Sequence, residues 1–314
     1  MCNILGIDAD KLPQILHSDE IVGNVKEEVA SRVGLSDKTA VIAGVMDSVA
    51  ACISLGVTDT KKPALIIGTV ARLCLPSEKD YFDNRFLNTF YLKDIPYLIM
   101  TPVNGGGLSI RWFIENFCID EINKAKEQKI DFCKLIEEKI KDIPPGSNSL
   151  IYLPYLVGER SHIWNPKARG MFFGISHNHT KYHFYRSIME GVAFAIRHNL
   201  EIYKETYDVD IDYITISGGG ARSKLWSSII SDILSIKVAI PEAVETETKG
   251  SAVLAGLGVG LFSSLNNALT REDNLYLIRP NPDNKKRYDL MFSIYKNLYK
   301  HCLDDYSDLY SINI

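Results

Sequence analysis

Three short apolar runs each break off in a glycine turn, and that pattern constrains the chain more than any other. Ala64-Leu65-Ile66-Ile67 runs into Gly68-Thr69, Tyr97 to Thr101 leads to the turn Asn104 to Gly107, and Asp212 to Ser217 leads to Gly218-Gly219-Gly220. Their length and β-branched content predict strands, with Val70 to Leu75 the hairpin partner of the first. Helical patterns follow at Asp47 to Leu55, Leu108 to Phe117, His183 to Tyr207, Ser223 to Leu234 and Gly250 to Leu261. Further short strands are expected at Thr39 to Ala43, Leu150 to Leu153 and Lys237 to Ile240. Residues 18–35 read as a loop and then a helix capped at Gly34. Residues 120–142 read as one charged amphipathic helical stretch ended by Pro144-Pro145-Gly146, and the tail from Lys285 to Leu309 as tyrosine-rich helix. Strands alternating with helices predict an α/β fold.

Composition narrows the class. A chain of 314 residues has room for one or two domains, and 46% apolar with 24% charged residues is that of an ordinary soluble protein. The charge balance, 35 − 39 = −4, gives no basic excess for nucleic acid. The six cysteines form no CxxC pair and read as reduced, mostly buried thiols. The N-terminus lacks the order of a signal peptide, and the most apolar stretch, Ala40 to Val57, is broken by Asp47. A cytoplasmic protein with no membrane partner is expected.

Glycine at the three turns lets backbone N–H groups approach a phosphate without a Cβ clash, and two of the turns open helices, whose N-termini favour anions. An ordinary tight turn needs glycine as well. No stretch matches GxxxxGK[ST], and Gly218 to Ser223 departs from GxGxxG, so neither a P-loop nor a dinucleotide fingerprint is present. Asp47 is the one carboxylate in its apolar stretch and reads as buried, where an unpaired carboxylate is costly and needs a reason to be there. It reads equally as an N-cap accepting from Val49 or Ala50 and as a general base. His177, His179 and His183 lack a Cys or carboxylate at ligand spacing, so no metal ligand is assigned. Trp112-Phe113, Tyr295, Tyr299 and Tyr310 read as packing faces, and Glu159-Arg160 as an ion pair pinning its loop or as ligand contacts.

One longer pattern goes further. Gly170-Met-Phe172-Phe-Gly174-Ile175, seven residues, then His183-Phe184-Tyr-Arg-Ser187-Ile188-Met189-Glu190 resembles the second signature of the FGGY family of carbohydrate kinases. Gly158-Glu159-Arg160 and Trp164-Asn165-Pro166 to Gly170 look like the family's preceding loop. Gly218 to Ser223 with Leu225-Trp226 is similar to its adenosine-binding segment, and Gly44-Val-Met-Asp47 to the stretch holding its catalytic aspartate. The resemblance implies an actin-like ATPase (ribonuclease H-like) fold, with ATP, Mg2+ and a sugar or sugar acid held between two domains. It also implies roles. Asp47 would take the proton of the attacking hydroxyl, Thr69 and Gly107 would meet the phosphates with Arg111 nearby, and Gly219 and Ser223 would line the adenosine side.

The chain departs from the family pattern at its start, where Gly6-Ile7-Asp8 is followed by Ala9-Asp10-Lys11-Leu12-Pro13 rather than a phosphate loop. Residues 1–57 therefore look like the end of the first, sugar-binding domain and 58–314 like the whole second, nucleotide-binding domain. Most of the first domain is expected to be missing, and the lone chain to be inactive, with a separately encoded first domain or a homo-oligomer as partner. Ser161-His162 replaces the family's small residue and proline. Asn104 to Trp112 looks most like the gluconokinase branch, with xylulokinase next. A non-catalytic nucleotide-binding or subunit-interaction fragment is the alternative, and a dinucleotide oxidoreductase a remote third.

Overall fold

The computed structural model describes residues 2–79, 83–242, 246–269 and 275–312. They fall into two units: 1–56 with 91–93 and 247–271, and 57–90 with 94–246 and 272–314. The first unit opens with α1 (Cys2–Leu5), β1 (Ile21–Asn24), α2 (Glu27–Val33), β2 (Ala40–Ile42) and α3 (Asp47–Ser54). Strands β1 and β2 pair antiparallel, so part of the expected loop at the start of residues 18–35 is a strand. Its residues are all exposed, so no alternation of burial marks it. Gly34 ends α2 at φ 76°, as its position in the sequence predicts. The second unit follows with β3 (Ala64–Ile67), β4 (Ala71–Ser77), β5 (Leu87–Phe90), β6 (Tyr97–Val103), α4 (Gly106–Phe117), α5 (Ile119–Gln128) and α6 (Phe132–Ile140). Then come β7 (Ile151–Leu153), β8 (Met171–Phe173), α7 (Lys181–Tyr207), β9 (Tyr213–Ser217), α8 (Lys224–Leu234) and β10 (Lys237–Ile240). The chain returns to the first unit with all but the first residue of α9 (Thr246–Gly258) and with α10 (Leu265–Ala268). It closes in the second with β11 (Tyr276–Ile278), α11 (Pro282–His301) and α12 (Leu303–Ile312).

In the first unit α3 and α9 meet through glycine. A Cβ on Gly250 would lie 1.8 Å from Ala50 O, so the two backbones touch where any side chain would part them. The small residues Val49 to Ser54 on α3 are buried by this packing. That is why the stretch reads as apolar and small.

The second unit is built on a seven-stranded sheet in the order β11-β10-β9-β3-β4-β6-β5. Strands β10, β9 and β3 run parallel, and the rest pair antiparallel. Strand β3 is buried along its whole length, a continuous apolar run as expected of a strand covered on both faces. Two of the expected glycine turns end β3 and β9, and the third leads from β6 into α4. The 120–142 stretch is two helices rather than one. Lys129 turns left-handed at φ 52°, and Asp131 restarts the chain by accepting the Cys133 N–H at 2.7 Å. The Gly218 turn opens a 3-10 turn, Gly219–Arg222, while α8 starts one residue later under a Ser223 cap.

Helix α7, of 27 residues, is the spine of this unit. At its centre the Glu190 carboxylate, 1% exposed, accepts from Gly146 N at 2.9 Å, Ser147 Oγ at 2.7 Å, Arg186 Nε at 3.0 Å and Tyr288 OH at 3.0 Å. Burial pushes its carboxyl pKa up against the pull of Arg186. The partners hold Ser147, Asn148 and Ser149 in three consecutive left-handed conformations. His179 and His183 clasp the same turn through Asn148, so these histidines serve the backbone. Among the described residues no group of His, Cys, Asp and Glu could hold a metal ion.

Other expectations meet the structure as follows. Glu159 and Arg160 pin their loop by hydrogen bonds to Asn104 rather than by an ion pair with each other: Glu159 Oε1 accepts from Asn104 N at 2.9 Å and Arg160 Nε donates to Asn104 Oδ1 at 2.7 Å. Burial raises the Glu159 pKa to about 7. His162 donates to Asn199 Oδ1 at 2.7 Å and meets the His198 ring at 4.0 Å. Cys52, Cys74 and Cys118 are buried, but Cys133 is exposed. Tyr295 packs as expected, whereas Tyr310 lies part-exposed against Lys167 and Arg169. Among the described residues no helix is long and apolar enough to cross a membrane.

Glu190→Ala is expected to destabilise the protein by about 3–5 kcal/mol, since it strands Arg186 and three other donors in the core. The joint replacement of Arg186 and Glu190 by Met should cost less than the single change. Urea unfolding measures both, and a loss under about 1 kcal/mol for Glu190→Ala would refute the role given to this carboxylate.

Candidate functional site

The turns after β3 and β9, the start of α4, and faces of α6, α7 and α8 enclose a cavity of 490 Å³ in the second unit. Thr69, Gly107, Arg111, Gly219 and Ser223 all line it, although they come from turns up to 154 residues apart, 223 − 69. Helix α4 begins wedged against its neighbours. A Cβ on Gly105, Gly106 or Gly107 would stand 1.9, 2.3 or 2.4 Å from Pro154 O, Ala71 N or Gly68 O respectively. Gly107 N donates to Gly68 O at 2.9 Å and Leu108 N to Thr69 O at 3.0 Å. These N–H groups are thus spent on clipping the two turns together. This corrects the simple expectation that Gly107 offers its N–H to a phosphate. Its contribution is close approach, and Arg111 Nη2 donates to Thr69 Oγ1 at 3.4 Å beside it.

Gly219 differs from the other glycines of the site, because a Cβ there would meet nothing within 4 Å. It faces open cavity. Ser223 Oγ accepts from Trp226 N at 3.0 Å and so caps α8 while lining the cavity. Ile110, Tyr185, Met189 and Trp226 make the floor apolar, and the Trp226 indole is fixed by donating to Met189 O at 3.1 Å. Burial pushes the Tyr185 hydroxyl pKa far above its usual range, so this ring serves as a neutral wall.

Helix α6 supplies a wall that sequence reasoning passed over. Asp131, Cys133, Lys134 and Glu137 line the cavity, with Arg222 from the 3-10 turn. Charges on an amphipathic helix ordinarily mark a solvated face, and nothing local distinguishes these. Cys133 is exposed as a residue, but partial desolvation pushes its thiol up, Asp131 and Glu137 add to the shift, and Arg222 opposes it. Among the lining residues the carboxylates are Asp131 and Glu137, both on α6 or its cap.

Asp47 belongs to the first unit. It is exposed, which corrects its reading as a buried carboxylate, and it is the first residue of α3 rather than its cap. It accepts from the adjacent Ser48 N–H and not from Val49 or Ala50.

The model of the FGGY family of carbohydrate kinases, C-terminal domain, matches residues 64–259, and that of the N-terminal domain residues 1–54. The chain belongs to this family. It is 31% identical to a gluconokinase of Bacillus subtilis over 309 residues, covering 98% of this chain and 60% of that protein. It is also 31% identical to a xylulose kinase of the same organism, covering 97% of this chain and 59% of the relative. The ligand-bound xylulose kinase of Lactobacillus acidophilus superposes with a TM-score of 0.86 at 23% identity, over 98% of this chain and 61% of that one. The fold is accordingly the actin-like ATPase fold of these sugar kinases. The chain spans about three-fifths of the length of the curated relatives it matches.

Gly219→Ala should leave stability unchanged within about 0.5 kcal/mol, whereas Gly107→Ala should cost about 1–3 kcal/mol by overpacking. Chemical denaturation of the two variants checks this. Equal losses would mean that the two glycines do not differ as their surroundings indicate.

Proposed function

We propose that the 490 Å³ cavity holds the adenine nucleotide of a carbohydrate kinase, which passes its terminal phosphoryl group to a hydroxyl of a sugar or sugar acid. The observation that carries this reading is the convergence of Thr69, Gly107, Arg111, Gly219 and Ser223 on one cavity with an apolar floor. Phosphoryl transfer asks mainly for positioning and charge neutralisation, and this wall offers both. Arg111 and Thr69 meet the phosphates, Gly107 lets the chain pass close beneath them, and Gly219 and Ser223 take the nucleoside side. The apolar floor receives the base.

Asp47 is read as the general base. Its one hydrogen bond, from Ser48, leaves lone pairs available to a hydroxyl. Mg2+ accompanies ATP in such chemistry, but the two carboxylates of the lining, Asp131 and Glu137, belong to no group of three or more His, Cys, Asp and Glu that could hold a metal among the described residues. The cavity residues do not by themselves fit the ion, so no step is assigned to it. A gluconate-like substrate is favoured and a xylulose-like one is second, on the resemblance of Asn104 to Trp112.

Residues 1–57 are read as the closing part of the first domain and 58–314 as the second. Support comes from the N-terminal-domain family model, which matches residues 1–54, and the C-terminal-domain model, which matches residues 64–259. Activity is assigned to these residues together with the rest of a first domain.

Calorimetry with ADP on the full chain should show binding, weakened at least tenfold by Gly219→Val, which fills the open side of the cavity. Equal affinity would remove the site. With Mg-ATP and gluconate or xylulose the chain alone should not turn over, and adding the first domain of a relative should start transfer. Asp47→Asn should then cut the rate about 10²–10⁴-fold. A variant retaining more than a tenth of the rate would end the base assignment.

A further inference from the structure

The cavity proposed to hold a nucleotide is lined by two different chemistries, and the second has no use in phosphate binding. Ile110, Met189 and Trp226 form an apolar floor suited to a flat ring. Beside them α6 places Glu137, half-buried, and among the described residues no hydrogen bond or ion pair engages its carboxylate. A carboxylate facing a cavity with no partner keeps its acceptor capacity free for a donor. Asp131, on the same wall, is already committed to the Cys133 N–H at 2.7 Å. Arg222 does not quench Glu137. Both line the cavity, and among the described residues they form no ion pair.

An ionised carboxylate only accepts hydrogen bonds. Beside a purine it complements the 6-amino group of adenine and opposes the 6-carbonyl of hypoxanthine or guanine. We propose that Glu137 selects the base of the bound nucleotide, accepting a hydrogen bond from the 6-amino group of adenine and rejecting 6-oxo purines. This rests on the nucleotide reading of the cavity and adds the residue that discriminates within it. Hydrogen bonds to a charged group are strong enough to give about tenfold or greater preference.

The test compares ADP with inosine diphosphate, which differs at the 6-position edge of the ring, by calorimetry on the full chain. The wild-type protein should prefer ADP by about tenfold or more. Glu137→Gln, whose amide offers a donor as readily as an acceptor, should reduce the preference to about twofold or less while ADP still binds. Lys139→Ala, an exposed residue of α6 outside the cavity lining, should keep the wild-type ratio, and thermal unfolding should show both variants folded. A ratio unchanged by Glu137→Gln overturns the proposal. Equal weakening of ADP and inosine diphosphate overturns it too, since the carboxylate would then be meeting the ribose. Failure of the wild-type chain to bind either nucleotide overturns the nucleotide reading, and base selection with it.

Discussion

The buried carboxylate of Glu190 holds the second unit together. Its four hydrogen bonds tie the middle of α7 to the turn at Gly146-Ser147 and to Tyr288 on α11. A carboxylate this deep is tolerated only when its lone pairs are filled, and here they are. The neighbouring Gly191 brings α7 against β7, with a Cβ position 2.3 Å from Tyr152 O. Residues Gly170 to Glu190, which carry the family resemblance, thus owe their pattern to architecture. They set where α7 lies, and α7 in turn presents Tyr185 and Met189 to the cavity.

The cavity arises from how the strands end. Strands β3 and β9 are parallel neighbours, so the turns after them emerge side by side. In open α/β sheets ligands lie beyond the carboxyl ends of such strands. The turn after β6 reaches the same place because α4 is clipped to the turn after β3 through Gly68 O and Thr69 O. Glycine is needed there for close approach of backbone to backbone, and at Gly219 for open space. The same residue type thus serves two physical purposes within one site.

Much of this was legible in the sequence. Continuous apolar runs gave β3 and β4, strand-to-glycine junctions gave the turns, and the long period of α7 was plain from His183 onward. What escaped had physical reasons. Strand β5, Leu87–Phe90, has no buried face, and the described part of β11, Tyr276–Ile278, is half exposed, so neither shows alternation. The break between α5 and α6 rests on a left-handed Lys129, a residue that does not announce a turn. Asp47 looked buried because its neighbours are small and apolar, yet those neighbours pack behind it while it starts the helix. The α6 wall escaped because a charged residue facing a cavity looks, in sequence, like one facing water.

The central claim is that one cavity of the second unit, floored by α4, α7 and α8 and walled by α6, receives the nucleotide. Hydrogen–deuterium exchange of the full chain with and without saturating ADP tests it most directly. Exchange should slow at residues 68–71, 106–111, 131–137 and 219–226, leaving the β7–β8 pair unchanged. Protection centred elsewhere, or none at these four segments while ADP is bound, would contradict the account.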